Sequence, residues 1–95
     1  MENGTNIQNE IEELTTMNLG NPYKTILHND SVHTQDEVVS QIIKAIHCDA
    51  MRAEQIMMTA HKSGSAVVFA GTFERCELVA SILEQIKLLT KVEPA

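Results

Sequence analysis

The chain predicts an α+β fold: one small domain of order β-α-α-β-α-β, a three-stranded sheet with helices packed on one side, preceded by a flexible N-terminal tail. Three observations lead there. Apolar residues recur at helical spacing in three segments, each opened by a capping residue, Thr34, Asp49 or Thr72. Three shorter stretches, "YKTILH", "SAVVFAG" and "LLTKVE", are rich in β-branched and apolar residues and bounded by turn-forming ones. The 95 residues, 43% of them hydrophobic, supply one core and leave no room for a second.

The first 21 residues read as a flexible acidic extension. Glu2, Glu10, Glu12 and Glu13 stand there with no Lys or Arg to balance them, and "LGNP" disfavours a helix running on into the next segment. Ile7, Ile11 and Leu14 fall at helical spacing, but a helix this short is marginal without a surface to pack on. The domain proper, 22–95, begins at Pro22. Tyr23–His28 is the first strand. Thr34 and Glu37 match a capping box, and Val38, Val39, Ile42, Ile43 and Ile46 share one face of the helix it opens. Asp49 caps a second helix whose buried stripe is Ala53, Ile56, Met57 and Ala60, with Gly64 as its stop. "SAVVFAG" reads as an interior strand. Thr72 opens a third helix carrying Leu78, Val79, Ile82, Leu83 and Ile86, and "LLTKVE" closes the sheet.

Charge and composition exclude several functions. A net charge of -6 opposes binding to nucleic acid or to an anionic membrane, and three aromatic residues offer no stacking platform for bases. A cationic ligand suits the chain better. Cys48 and Cys76 stand far apart with no CxxC, which suggests neither a disulfide framework nor a zinc ribbon and fits a cytoplasmic setting. No signal peptide and no membrane-length apolar run is expected. His28, His33, His47, His61, Cys48 and Asp30 include ligand types for zinc, but no HExxH or CxxC spacing gathers them, so no metal or other cofactor is expected. A Cys–His hydrolase lacks an orienting third group. The expectation is a protein without catalytic residues.

The polar run "HND" at the end of the first strand invites a different chemistry. Asn29, Asp30 and a neutral His61 each offer an acceptor, and an α-ammonium group presents three N–H donors. Together they could hold a free N-terminus, with the carboxylate adding charge-assisted bonding that an internal peptide nitrogen could not repay. His61 lies one turn after Met57 on the same helical face, at the edge of the apolar stripe. The plainer alternatives are that His61 caps its helix end and that Asn29 and Asp30 form an ordinary turn. They are separated by whether the first strand ends beside the second helix.

"PYKTILHND", then "DEVV", "CDAMRAEQIMMTAHKSG" and "FERCELVASILEQI", together resemble the ClpS family of adaptor proteins, over essentially all of residues 22–93. The resemblance implies a non-enzymatic adaptor that recognises destabilising N-terminal residues, the N-degrons. It would hand their bearers to the N-terminal domain of a Clp AAA+ unfoldase, ClpA or ClpC, working with the ClpP protease. It implies α-amino recognition by Asn29, Asp30 and His61, and a first-side-chain pocket lined by Val38, Met57 and Ala60, with Leu88 closing it from the last strand. Each of these four could equally be ordinary core. The family's ligands begin with Leu, Phe, Tyr or Trp, and a bulky Met57 should exclude β-branched Ile and Val. The protein is expected to be a monomer, and its acidic extension occupies the place of the family's delivery segment.

The rim departs from the family's pattern at Ser31, where a second acid is usual, at His33, where Thr is common, and at Gln35, where an apolar gate residue is usual. These changes raise the alternative of a ClpS-like modulator of the unfoldase with lost or altered N-degron binding.

Overall fold

The computed structural model describes residues 22–95. The expected extension over 1–21 lies outside the described residues. The elements are β1 (Tyr23–His28), α1 (Gln35–Ile46), α2 (Ala50–Ser63), β2 (Ser65–Gly71), α3 (Phe73–Glu84) and β3 (Thr90–Pro94), in the order expected for an α+β domain.

Each helix starts where its cap requires. The Glu37 backbone N–H donates to Thr34 Oγ1 at 3.1 Å, and the Glu37 carboxylate accepts from the Thr34 N–H at 2.9 Å, completing the capping box of α1. Asp49 accepts from the Arg52 N–H at 2.9 Å and Thr72 from the Arg75 N–H at 3.2 Å. Gly64 ends α2 at φ 94°, a left-handed conformation that costs glycine little, and its N–H bonds to the Ala60 carbonyl. Thr34 also joins α1 to the loop after β1. Replacing it with Ala should lower stability by about 1 kcal/mol; a urea midpoint equal to that of the wild type would show that the box contributes nothing.

The sheet has the order β2-β1-β3, with both pairings antiparallel. The central strand is therefore β1. "SAVVFAG", expected in the interior of the sheet, is an edge strand, and Val67 on it is 47% exposed. A short apolar run bounded by glycines reports that one face is buried, but not how many neighbours the strand has. The register between β1 and β2 shifts between Thr25 and Ile26.

The core lies between the sheet and its helices: α2 packs on β2, α3 on β1 and β3, and α1 across α2 and α3. Leu27, Ile42 and Leu83 are fully buried within it. Its polar members are satisfied. The Thr25 hydroxyl donates to the Cys76 carbonyl at 2.8 Å, and the Gln41 amide donates to the Ile82 carbonyl at 2.6 Å, joining α1 to α3.

Two expectations for the last third of the chain need correction. Leu78 is 58% exposed; the buried stripe of α3 is Cys76, Val79, Ala80 and Leu83, and Leu78 lies two residues, about 200°, from both Cys76 and Ala80. Ile86 lies beyond the helix end. Leu88 does not belong to the last strand. Helix α3 stops at Glu84, and Lys87 turns the chain at φ 66°, so Leu88 is buried in the turn before β3 begins at Thr90.

Candidate functional site

Two backbone hydrogen bonds build the site. The Asn29 N–H donates to the Gly64 carbonyl at 2.9 Å, which seats the end of β1 against the end of α2 and so beside His61. The His28 N–H donates to the Leu89 carbonyl at 2.9 Å, which draws the turn carrying Leu88 to the same place. The result is a cleft with about 360 Å³ of empty space, counting its open mouth, lined by residues from β1, the loop after it, α1, α2 and the turn before β3.

Asn29, Asp30, His33, Gln35, Val38, Met57, Ala60, His61 and Leu88 all line this cleft. Ser31 does not; it is exposed on the loop outside. Met57, Ala60, Leu88 and the strand residue Leu27 are buried and make an apolar floor, with Val38 half-buried beside them. Asn29, Gln35 and His61 are exposed at the rim. The arrangement offers polar acceptors above an apolar hole, suited to a ligand with a cationic head and an apolar body.

Sequence reasoning missed Leu27 and His28 as lining residues. Leu27 carried a signal in the period-2 alternation of β1, since it is buried like Thr25 two residues before it. His28 carried none beyond its place next to Asn29.

The electrostatics centre on Asp30 and His33. Asp30 Oδ1 accepts from the N–H groups of Val32 at 3.0 Å and His33 at 2.9 Å, folding the loop around its own carboxylate. Oδ2 faces His33 Nδ1 at 2.8 Å, and His33 Nε2 faces the Ile86 carbonyl at 2.5 Å. Partial burial pushes the Asp30 carboxyl up, but the hydrogen bonds from the His33 and Val32 backbones and the His33 ring outweigh it and hold the carboxyl below its ordinary value of 3.8. His33 moves the other way. Its bond to the Asp30 carboxylate outweighs the cost of desolvation and, aided by the Ile86 carbonyl, raises it above 6.5. The pair thus stabilises the fold most between those two ordinary values. The contribution is lost as pH falls through the depressed carboxyl pKa, and again as pH rises through the elevated imidazole pKa.

Among the described residues, no three His, Cys, Asp or Glu are grouped as they would be to hold a metal ion. No helix among them is long and apolar enough to cross a membrane.

Comparison with known proteins agrees with this architecture. Residues 18–91 match the family described as ATP-dependent Clp protease adaptor protein ClpS. The ATP-dependent Clp protease adapter protein ClpS of Gloeobacter violaceus is 33% identical over 73 residues, 76% of this chain and 78% of the relative. The E3 ubiquitin-protein ligase UBR1 of Drosophila melanogaster is 39% identical over 74 residues; these make up 77% of this chain but only 4% of the ligase. Among solved structures, Agrobacterium tumefaciens ClpS2 bound to L-phenylalaninamide superposes with a TM-score of 0.73 at 26% identity, covering 77% of this chain and 95% of that one. With a matching family model over most of its length and a ClpS relative that it covers for more than two thirds, the chain belongs to the ClpS family, the adaptor proteins of the ATP-dependent Clp protease.

Proposed function

We propose that the cleft receives the free N-terminus of a substrate protein and that the chain delivers that protein for degradation. The observation that carries this reading is the seating of Asn29 and His61 together at the rim, over a floor of Leu27, Met57, Ala60 and Leu88. Asn29 and His61 accept from the α-ammonium, and Asp30 adds negative charge and its remaining acceptor direction. The first side chain fills the hole, gaining roughly 1.5–3 kcal/mol if it is large and apolar. Leu, Phe, Tyr and Trp fit this description, and the width of Met57 disfavours Ile and Val. The ligand of the Agrobacterium structure supports the assignment, because L-phenylalaninamide has an α-amino group, an aromatic side chain and a blocked carboxyl, the features of a chain's first residue.

The downstream partner in this proposal is the N-terminal domain of a cytoplasmic Clp AAA+ unfoldase, ClpA or ClpC, feeding ClpP. The protein acts as a monomer, with residues 1–21 as the delivery arm. The stretch shared with a ubiquitin ligase suggests that the receptor can serve other degradation machinery, so the N-terminus reading does not depend on the unfoldase.

Anisotropy of labelled peptides that share one body and begin with Leu, Phe, Tyr, Trp, Ile, Arg or acetyl-Leu tests the proposal. Tight binding of the bulky unblocked members, lost on acetylation, is the expected result. Binding of none would favour a second reading, a modulator of the unfoldase without N-degron recognition. Gln35 at the rim, Ser31 outside the cleft and the hydrogen bonds already occupying Asp30 favour that reading.

A further inference from the structure

One arrangement in the cleft is not explained by the recognition of an ammonium group. A carbonyl oxygen can only accept, so His33 Nε2, 2.5 Å from the Ile86 carbonyl, must carry a hydrogen. The Asp30 carboxylate, whose Oδ1 already accepts two backbone N–H bonds, offers only an acceptor at Oδ2, so His33 Nδ1, 2.8 Å from Oδ2, is placed to donate as well. This geometry suits a ring that donates from both nitrogens, an imidazolium bridging two separate pieces of chain: the rim loop, folded around Asp30, and the turn after α3.

We propose that His33 is a positioning residue of the cleft: donating from both ring nitrogens, it clamps the rim loop to the turn that carries Leu88, and so sets which first side chains the cleft admits. This rests on the reading of the cleft as an N-terminus receptor. Leu88 lies two residues after Ile86 and is buried in the cleft floor with Met57 and Ala60. Any change in the grip on Ile86 therefore moves one wall of the side-chain pocket. The clamp also neutralises Asp30, so that the ammonium meets a carboxylate already paired with a cation and side-chain fit carries more of the discrimination.

The clamp depends on pH through its own proton. On deprotonation the ring keeps its hydrogen toward the charged Asp30, leaving an Nε2 lone pair facing the Ile86 oxygen, acceptor against acceptor, and the ring lets go of the turn. The acidic groups around His33 favour the closed form. Asp30 faces it from the loop, and Glu37 of α1 adds a favourable field. Asp36 lines a neighbouring groove together with His33, Glu37 and Ile86, and His28 of β1 and His61 of α2 line the cleft with His33.

The test uses the full chain and has two parts. Ring-nitrogen NMR followed from about pH 5.5 to about pH 9 spans the imidazole range. It should find both His33 nitrogens protonated at neutral pH, with the amides of Ile86 to Leu88 shifting as the ring titrates. In parallel, anisotropy gives the affinity ratio of Leu-initiated to Ile-initiated peptides. The shared ammonium group cancels in that ratio, and with it the contribution of the rim acceptors that hold it. The ratio should fall roughly threefold as His33 deprotonates. In His33→Gln it should be low at every pH.

A neutral His33 ring at pH 7 overturns the proposal whether or not any peptide binds. So does a ratio that is flat with pH in the wild type, or one that keeps its pH dependence in His33→Gln. If the ring is doubly protonated but no peptide binds, the receptor reading fails and His33 is reduced to a contact of the fold. If His33→Gln does not fold, the wild-type titration alone decides.

Discussion

Asn29→Ala combined with His61→Ala is expected to abolish binding of Leu-initiated peptides and to leave the fold intact. Both side chains are exposed at the mouth of the cleft, so their loss should change stability by no more than about 0.5 kcal/mol. Each accepts from a charged donor in the proposed complex, and such bonds contribute about 1.5–3 kcal/mol. Losing both should weaken affinity by roughly 10²- to 10⁴-fold. Peptide anisotropy, with a thermal melt of the same sample, measures the two quantities together. Near-wild-type affinity in the folded double variant would place the receptor elsewhere. The β1 end should survive because what seats Asn29 is its backbone N–H on the Gly64 carbonyl, which alanine retains.

The second large effect concerns the core beneath the site. Leu83 is 0% exposed on α3, the helix that packs on both β1 and β3 and meets α1. Leu83→Ala should cost about 2–5 kcal/mol. Against a total of about 5–15 kcal/mol for a domain, that is enough to lower the urea midpoint sharply. Leu78→Ala is the control, since Leu78 is 58% exposed on the same helix and its truncation should change stability by less than about 0.5 kcal/mol. Equal losses in the two variants would mean that α3 buries a different face. The comparison matters for function because α3 leads directly into the turn that holds Ile86 and Leu88, so its packing determines where that wall of the cleft stands.

The elements whose signals are local were legible from the residues. Thr34 with Glu37, Asp49 and Gly64 are each read within one turn of helix, and each cap stands where its chemistry requires. The stripe Ala53, Ile56, Met57 and Ala60 was legible for the same reason: one helical face packed on one surface repeats every three to four residues. The third helix was less so. Its alternation includes Leu78 and Ile86, and Cys76 is small enough to be overlooked as a core residue, so which apolar residues turn inward depended on where α3 lies on the sheet.

Strand order could not be read at all. "SAVVFAG" looked central and is at the edge, because the central place of β1 is set by where the chain returns after α3. The site was legible as a set of residue types and, through the resemblance, as a set of positions. Its physical assembly was not. That Asn29 stands beside His61 depends on a bond to the Gly64 carbonyl across 35 positions of sequence, and that Leu88 joins them depends on the His28 bond to Leu89.

The sequence by itself determined the class of fold, the helix starts and the chemistry available to the cleft, because propensity, capping and hydrophobic period act over a few residues. Only the tertiary structure decided the strand order, the face of α3 and the grip of His33 on Ile86. Those depend on contacts between segments far apart in the chain, and no local pattern encodes such contacts.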